Sequence, residues 1–184
     1  GVKLDQWIYC FEELGAGADD LVGKKCANLG EMSRLGMRVP HGFALAVKGF
    51  ETFMNLTALA EVIKNRIEPQ KERLKRVEIC QGESRAIQEL IEATPVPGML
   101  RQEIVAHYNA LCRKAGRANI PVAVRSSGLV SMPGQMDTYL NVIGADSVVD
   151  HIKKVWSSAY TVRAMMYRLE KDLPIEWAPI GVAV

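Results

Sequence analysis

Residues Val122 to Val142 read VAVRSSGLVSMPGQMDTYLNV. The apolar, β-type residues Val122, Ala123 and Val124 lead to Arg125, and the small residues Ser126, Ser127 and Gly128 follow. This order predicts a strand with Arg125 at its end, a glycine-containing loop, and a second strand over Tyr139 to Val142. A strand end is where ligands are usually met. The guanidinium of Arg125 is a planar, permanently charged fork that matches phosphate oxygens, and each such charge-assisted hydrogen bond is worth about 1.5–3 kcal/mol. Ser131, Met132, Pro133 and Gly134 then make a turn whose glycine lets backbone N–H groups approach an anion. From the residues alone two readings stand. One is a phosphate-binding loop; the other is a surface ion-pair arginine beside an ordinary Pro-Gly turn.

Working outward, Val22 to Met32 reads VGKKCANLGEM and Leu35 to Phe43 reads LGMRVPHGF. Ala27 to Leu35 has helical spacing, with Leu29, Met32 and Leu35 on one face and Gly36 as its stop. The N-terminus of that helix falls near Lys25, and a helix N-terminus favours anions. The phosphate reading therefore has a second, separate support in the sequence.

The remaining pattern mixes strand and helix. Trp7 to Phe11 is a short aromatic run of strand type before a glycine-rich loop, Leu14 to Gly23. Val39 to Val47, with Pro40 and Gly42 near its start, suits a short edge strand. From Gly49 to Gly116 the signals are helical, over Gly49 to Asn55, Ala58 to Ile67, Glu83 to Ala93 and Gly98 to Lys114. His107 lies in this helical insert and reads as a helix histidine, not a general base. Beyond Val142, Asp146 or Ser147 is positioned to cap a helix reaching about Tyr160, with Val148, Val149, Ile152, Val155, Trp156 and Ala159 as its apolar stripe. Thr161 to Leu173 reads as another helix, in which Met165 and Met166 are core filler. Pro179 to Val184, PIGVAV, has the composition of a buried strand. An unfinished buried strand invites edge pairing, so the chain reads as a fragment of a longer protein.

Composition excludes several function classes. With 184 residues, 48% hydrophobic and 24% charged, the chain can bury a core and is ordinary for a globular domain. A net charge of +2 gives no concentrated basic surface for nucleic acid. The basic run Lys64 to Arg76 is interleaved with Glu68 and Glu72 and reads as a solvated helix face. Cys10, Cys26, Cys80 and Cys112 show neither CxxC pairing nor a histidine at zinc-site spacing, which predicts reduced thiols, no metal cluster and a cytoplasmic setting. Cys26 reads as a small packing residue. No apolar run reaches the ~20 residues needed to cross a bilayer.

The two glycine-containing segments resemble the N-terminal ATP-binding region of the phosphoenolpyruvate synthase and pyruvate phosphate dikinase family, which includes rifampin phosphotransferase and the ATP-binding subunit of phenylphosphate synthase. VGKKCANLGEM is similar to the family's VGGKGANLGEM, LGMRVPHGF to its LGLPVPPGF, and SMPGQMDT to the dikinase form of the phosphate loop. The resemblance implies an α+β fold, the N-terminal lobe of an ATP-grasp type nucleotide-binding domain. It has a mostly antiparallel sheet, a helical insert over about residues 49–116 and a phosphate loop over residues 125–138. Residues 1–184 would then be a single incomplete domain whose C-terminal lobe is missing. Carried over by position, the phosphate-contacting lysine is Lys25, the arginine is Arg125, and the loop glycine and threonine are Gly134 and Thr138. Lys25 and Arg125 would neutralise ATP phosphates, and the loop from Ser131 to Thr138 would fold over them.

The function implied is transfer of a phosphoryl group from ATP through a phosphohistidine, on another domain or subunit, to a small-molecule acceptor bound elsewhere. Pyruvate is the default acceptor and phenol its rival. The acidic residues that hold Mg²⁺ are expected outside this chain, and none of His41, His107 or His151 lies in a segment resembling the phosphohistidine motif. Asp137, the loop's one carboxylate, reads as an anchor of its own turn, with metal binding as the alternative. Lys24 and Cys26 stand where the family pattern has glycines, which predicts a stiffer loop there. That departure sustains a competing reading, a non-catalytic interaction or regulatory module that keeps the fold.

Overall fold

The computed structural model describes residues 6–15, 17–128 and 138–184. Its frame is a five-stranded sheet of order β1-β2-β5-β3-β4, built from β1 (Ile8–Cys10), β2 (Phe43–Leu45), β3 (Val122–Gly128), β4 (Thr138–Val142) and β5 (Ile180–Ala183). Every pairing is antiparallel, so the expected α+β class with a mostly antiparallel sheet is observed. The short helix α1 (Asp19–Val22) and α2 (Lys24–Arg34) lie between β1 and β2. The predicted helical stretch is α3 (Val47–Leu56), α4 (Leu59–Ile67), α5 (Val77–Ala93) and α6 (Gly98–Ala115). Two further helices, α7 (Ala145–Ser157) and α8 (Val162–Glu170), precede β5.

Side chains alternate across a strand, and here the alternation sorts the core into two layers. Ile8, Phe43, Leu45, Val124, Ile180 and Val182 point to the side packed by Phe50, Phe53, Ile63, Ile87 and Trp156. Tyr9, Ala44, Ala46 and Ala183 point the other way, onto Val22, Cys26 and Ala27. The predicted stripe of α7 is the heart of the first layer: Val148, Val149, Ile152, Val155, Trp156 and Ala159 are all buried. Met165 is fully buried and Met166 packs beside it, as core filler should.

Several local expectations are corrected. The segment around Phe43–Leu45 is an interior strand between β1 and β5, not an edge. Pro40 and Gly42 lie before the strand, so the missing proline N–H costs no ladder bond. Helix α5 begins six residues before Glu83, at Val77. Its buried side is Cys80, Ser84, Ile87 and Ile91, and Gly82 sits where an added Cβ would touch nothing within 4 Å. Helix α7 is capped by Gly144, at φ 93°, and not by Asp146 or Ser147. Asp146 pairs instead with Arg101. Helix α8 ends at Glu170, short of Leu173; its cap is Thr161, whose Oγ1 accepts from the Ala164 N–H at 3.2 Å.

Candidate functional site

The site begins at Gly23. At φ 83° and ψ 165° its backbone is in a region that L side chains rarely adopt, and a Cβ there would collide with the Ser127 carbonyl. Gly23 is the N-cap of α2: its carbonyl accepts the first helical bond, from the Ala27 N–H, at 3.1 Å. The helix therefore starts at Lys24, three residues ahead of Ala27, and Lys24, Lys25 and Cys26 are its first turn. This corrects the reading of Lys24 and Cys26 as residues of a stiffened loop. Both sit in helical backbone, where no glycine freedom is needed. Cys26 turns into the core and is fully buried, and Lys24 is exposed, so neither side chain thickens the backbone of the turn.

Arg125 is also placed differently from expectation. It lies in the middle of β3, because the ladder with β5 continues past it through Ser126↔Val182, Ser127↔Gly181 and Gly128↔Ile180. Arg125 is opposite Ala183 on β5 and opposite Thr138 on β4. Residues directly opposite in a sheet share a face, so Arg125 and Thr138 stand on the same face as Ala183, the α2 side. Ser127, two residues along, is on that face too, and its Oγ accepts the Cys26 N–H at 3.1 Å. One hydrogen bond therefore ties the first turn of α2 to β3 and brings Lys25 and Arg125 to one side of the sheet.

Arg125 is exposed and Lys25 and Thr138 are half-buried. Among the described residues no carboxylate lies within ion-pair distance of Lys25 or Arg125. Among the described residues, two cations and a helix N-terminus whose N-cap residue has no side chain therefore lie on one side of the sheet, an arrangement of the kind that suits an anion. The Lys24 and Lys25 N–H groups are among the four that a helix start leaves without intrahelical partners. Gly134, Asp137 and the loop over Ser131 to Asp137 lie outside the described residues.

The other candidates take structural positions. Burial pushes the Cys26 thiol up to about 11, opposed by the Ser127 hydrogen bond and the Lys25 charge, so Cys26 is a packing residue and not a nucleophile. All four cysteines are free thiols. His107 is a helix residue whose ring lies 5.5 Å from that of Phe43 and whose Nδ1 is 2.8 Å from the Glu103 carbonyl. Among the described residues no group of three or more His, Cys, Asp or Glu side chains is placed to hold a metal ion. No helix among them is long and apolar enough to cross a membrane.

Sequence reasoning passed over Ser127. Its signal is indirect: a helix that starts on glycine has no capping side chain, so its first-turn donors must find oxygen elsewhere. A small polar residue in a strand that packs on that helix is where to look for it.

Comparison with known proteins identifies the domain. The pyruvate phosphate dikinase AMP/ATP-binding domain matches residues 19–184. The chain is 34% identical to a probable phosphoenolpyruvate synthase of Methanothermobacter thermautotrophicus, covering 100% of this chain and 28% of that protein. It is 38% identical to a probable phosphoenolpyruvate synthase of Staphylothermus marinus, over 99% of this chain and 22% of the relative. With the phosphoenolpyruvate synthase of Aeropyrum pernix it shares 36% identity, again over 99% of this chain and 22% of the relative. The chain thus spans about a quarter of the length of the curated relatives it matches. A match over nearly the whole chain, with relatives above 30% identity along its full length, means that it belongs to the family of the pyruvate phosphate dikinase AMP/ATP-binding domain.

Proposed function

We propose that this chain is the N-terminal lobe of an ATP-grasp type nucleotide-binding domain in a phosphoenolpyruvate synthase-like phosphotransferase. Residues 49–116 are its helical insert, and the second lobe comes from further polypeptide. Lys25 and Arg125 hold the ATP phosphates, Thr138 adds a hydroxyl from the neighbouring strand, and Gly134 supplies backbone donors from the loop. The observation that carries this reading is that Lys25, Arg125 and the start of α2, where only the Cys26 N–H is taken up by Ser127, lie on one side of the sheet, with no carboxylate among the described residues within ion-pair distance of either cation. A helix N-terminus joined by two cations is suited to a polyphosphate, and phosphoryl transfer depends mainly on such positioning and charge stabilisation.

Lys25 gives a mobile point charge with three donors; Arg125 gives a rigid fork for two oxygens of one phosphate. Together they stabilise charge as it redistributes along the phosphate chain, and Mg²⁺, held by acidic residues outside this chain, would supply the remaining neutralisation. The phosphoryl group passes to a histidine on another domain or subunit and then to an acceptor, pyruvate by default and phenol as the second choice. Such an enzyme works in the cytoplasm, where ATP is kept. The competing interaction-module reading leaned on Lys24 and Cys26; their place in regular helix, where no glycine freedom is needed, weighs against it.

Calorimetric titration of MgATP into the longest natural form of the protein, beside Arg125→Ala, tests this reading. Saturable binding that the substitution weakens by at least ~1.5 kcal/mol is expected. Absence of binding by the longest form would overturn the proposal in favour of an interaction module.

A further inference from the structure

We infer that Ser127 is a positioning residue of the phosphate site, acting as a helix cap delivered from a strand. The inference rests on the proposal that Lys25 and Arg125 bind the ATP phosphates. A helix N-cap normally accepts, through its own side-chain oxygen, the N–H of the second or third helical residue. In α2 the N-cap is Gly23, which has no side chain, and the third residue is Cys26. The oxygen that accepts the Cys26 N–H belongs to Ser127, 101 residues away in sequence.

The arrangement does two things that a local cap does not. A serine at position 23 could not hold φ 83° without strain, and its side chain would run into Ser127. With the cap brought from β3, the edge of the first turn stays bare, and the Lys24 and Lys25 N–H groups are left for a ligand. The second consequence is geometric. Ser127 and Arg125 lie on one face of the same strand, two residues apart, and Cys26 follows Lys25 directly in the helix. The hydroxyl thus fixes how far the lysine of one element stands from the arginine of the other. Ser127 is 1% exposed, and Gly23 and Gly181 flank it, so the contact has little room to drift.

Ser127→Ala removes the hydroxyl with almost no change of shape and is expected to weaken MgATP binding about 10-fold in the longest natural form. Because the serine acts by aligning Lys25, the same change made in a Lys25→Ala background should cost less than about 2-fold. Ile63→Val, a mild change in the opposite layer, serves as the stability control. Hydrogen exchange of the first turn of α2 reads the cap directly, and it should quicken in Ser127→Ala and not in Ile63→Val. An unchanged affinity in Ser127→Ala overturns the inference, and so does an equal loss in both backgrounds or a loss matched by Ile63→Val. If neither Lys25→Ala nor Arg125→Ala alters MgATP affinity, the phosphate site itself is wrong and the inference goes with it. If those two weaken binding and Ser127→Ala does not, only the positioning role fails.

Discussion

The two faces of the sheet are built from different side chains. Toward α3–α8 the strands offer Phe43, Leu45, Val124, Ile180 and Val182, and the partners include Phe50, Phe53 and Trp156, with Phe53 and Trp156 stacked at 4.8 Å between ring centroids. Toward α1 and α2 the buried strand residues are mainly small, Ala44, Gly181 and Ala183, with Tyr9 a large exception. On that second face backbone lies almost directly on backbone. A Cβ added at Gly23 would meet Ser127, at Gly181 the Val22 carbonyl, and at Gly30 Leu14. Large apolar side chains bury the area that stabilises a fold, whereas small ones let main chains approach and fix the distance between elements. The division implies that stability resides mostly in the thick layer and the geometry of the proposed phosphate site mostly in the thin one.

The strongest test of that division is Trp156→Ala. Trp156 is fully buried against Phe50 and Phe53, and its truncation should cost about 3–5 kcal/mol in urea unfolding. Trp156→Phe should cost far less, because the indole N–H has no hydrogen-bond partner among the described residues to lose. In the fraction that remains folded, MgATP affinity should be unchanged. An affinity loss comparable to that of Arg125→Ala would erase the distinction between the layers.

On the thin face the counterpart is Gly181→Ala. The new methyl would press on the Val22 carbonyl, which is backbone and cannot swing aside as a side chain could. Overpacking of this kind costs about 1–3 kcal/mol, less than the tryptophan truncation. Unlike that truncation, it should also weaken MgATP binding, because lifting α1 and α2 from β5 moves Lys25 away from Arg125. A variant that loses stability but keeps full affinity would show that the close approach serves packing alone.

The sequence was most legible where the pattern is local. The stripe of α7, the helices between β2 and β3 and the strand character of Ile180–Ala183 follow from spacing within a few turns. Pairing between distant segments was not legible. That β5 enters between β2 and β3 extends β3 beyond Arg125 and makes β2 interior, and no window of sequence around either strand contains that information. The start of α2 was misread for a related reason. Lysine and cysteine at positions 24 and 26 gave no cap signal, since the capping oxygen is on Ser127. Arg125 was singled out by its place after an apolar run and Lys25 by resemblance, while their presence on one face depends on the β5 register and the Ser127 bond.

The smallest effect expected from the comparison belongs to Cys26, a thiol sealed in the thin layer. Burial raises it from its ordinary value of 9.0 to about 11, so the folded state keeps the proton over a range in which the unfolded chain releases it. Below pH 9 both states are protonated and the thiol contributes no pH dependence. As pH rises through 9 toward 11, the unfolded state binds fewer protons than the native one, and stability must fall. At pH 10 the loss amounts to about 1.4 kcal/mol, one pKa unit's worth. Cys26→Ala should remove that part of the alkaline destabilisation, so the gap in unfolding free energy between the two proteins should shift by this amount between pH 8 and pH 10. The thin layer excludes water only if its elements stay pressed together. A gap that does not change with pH would mean that α2 rides more loosely on the sheet, with Lys25 held less firmly than the positioning argument requires.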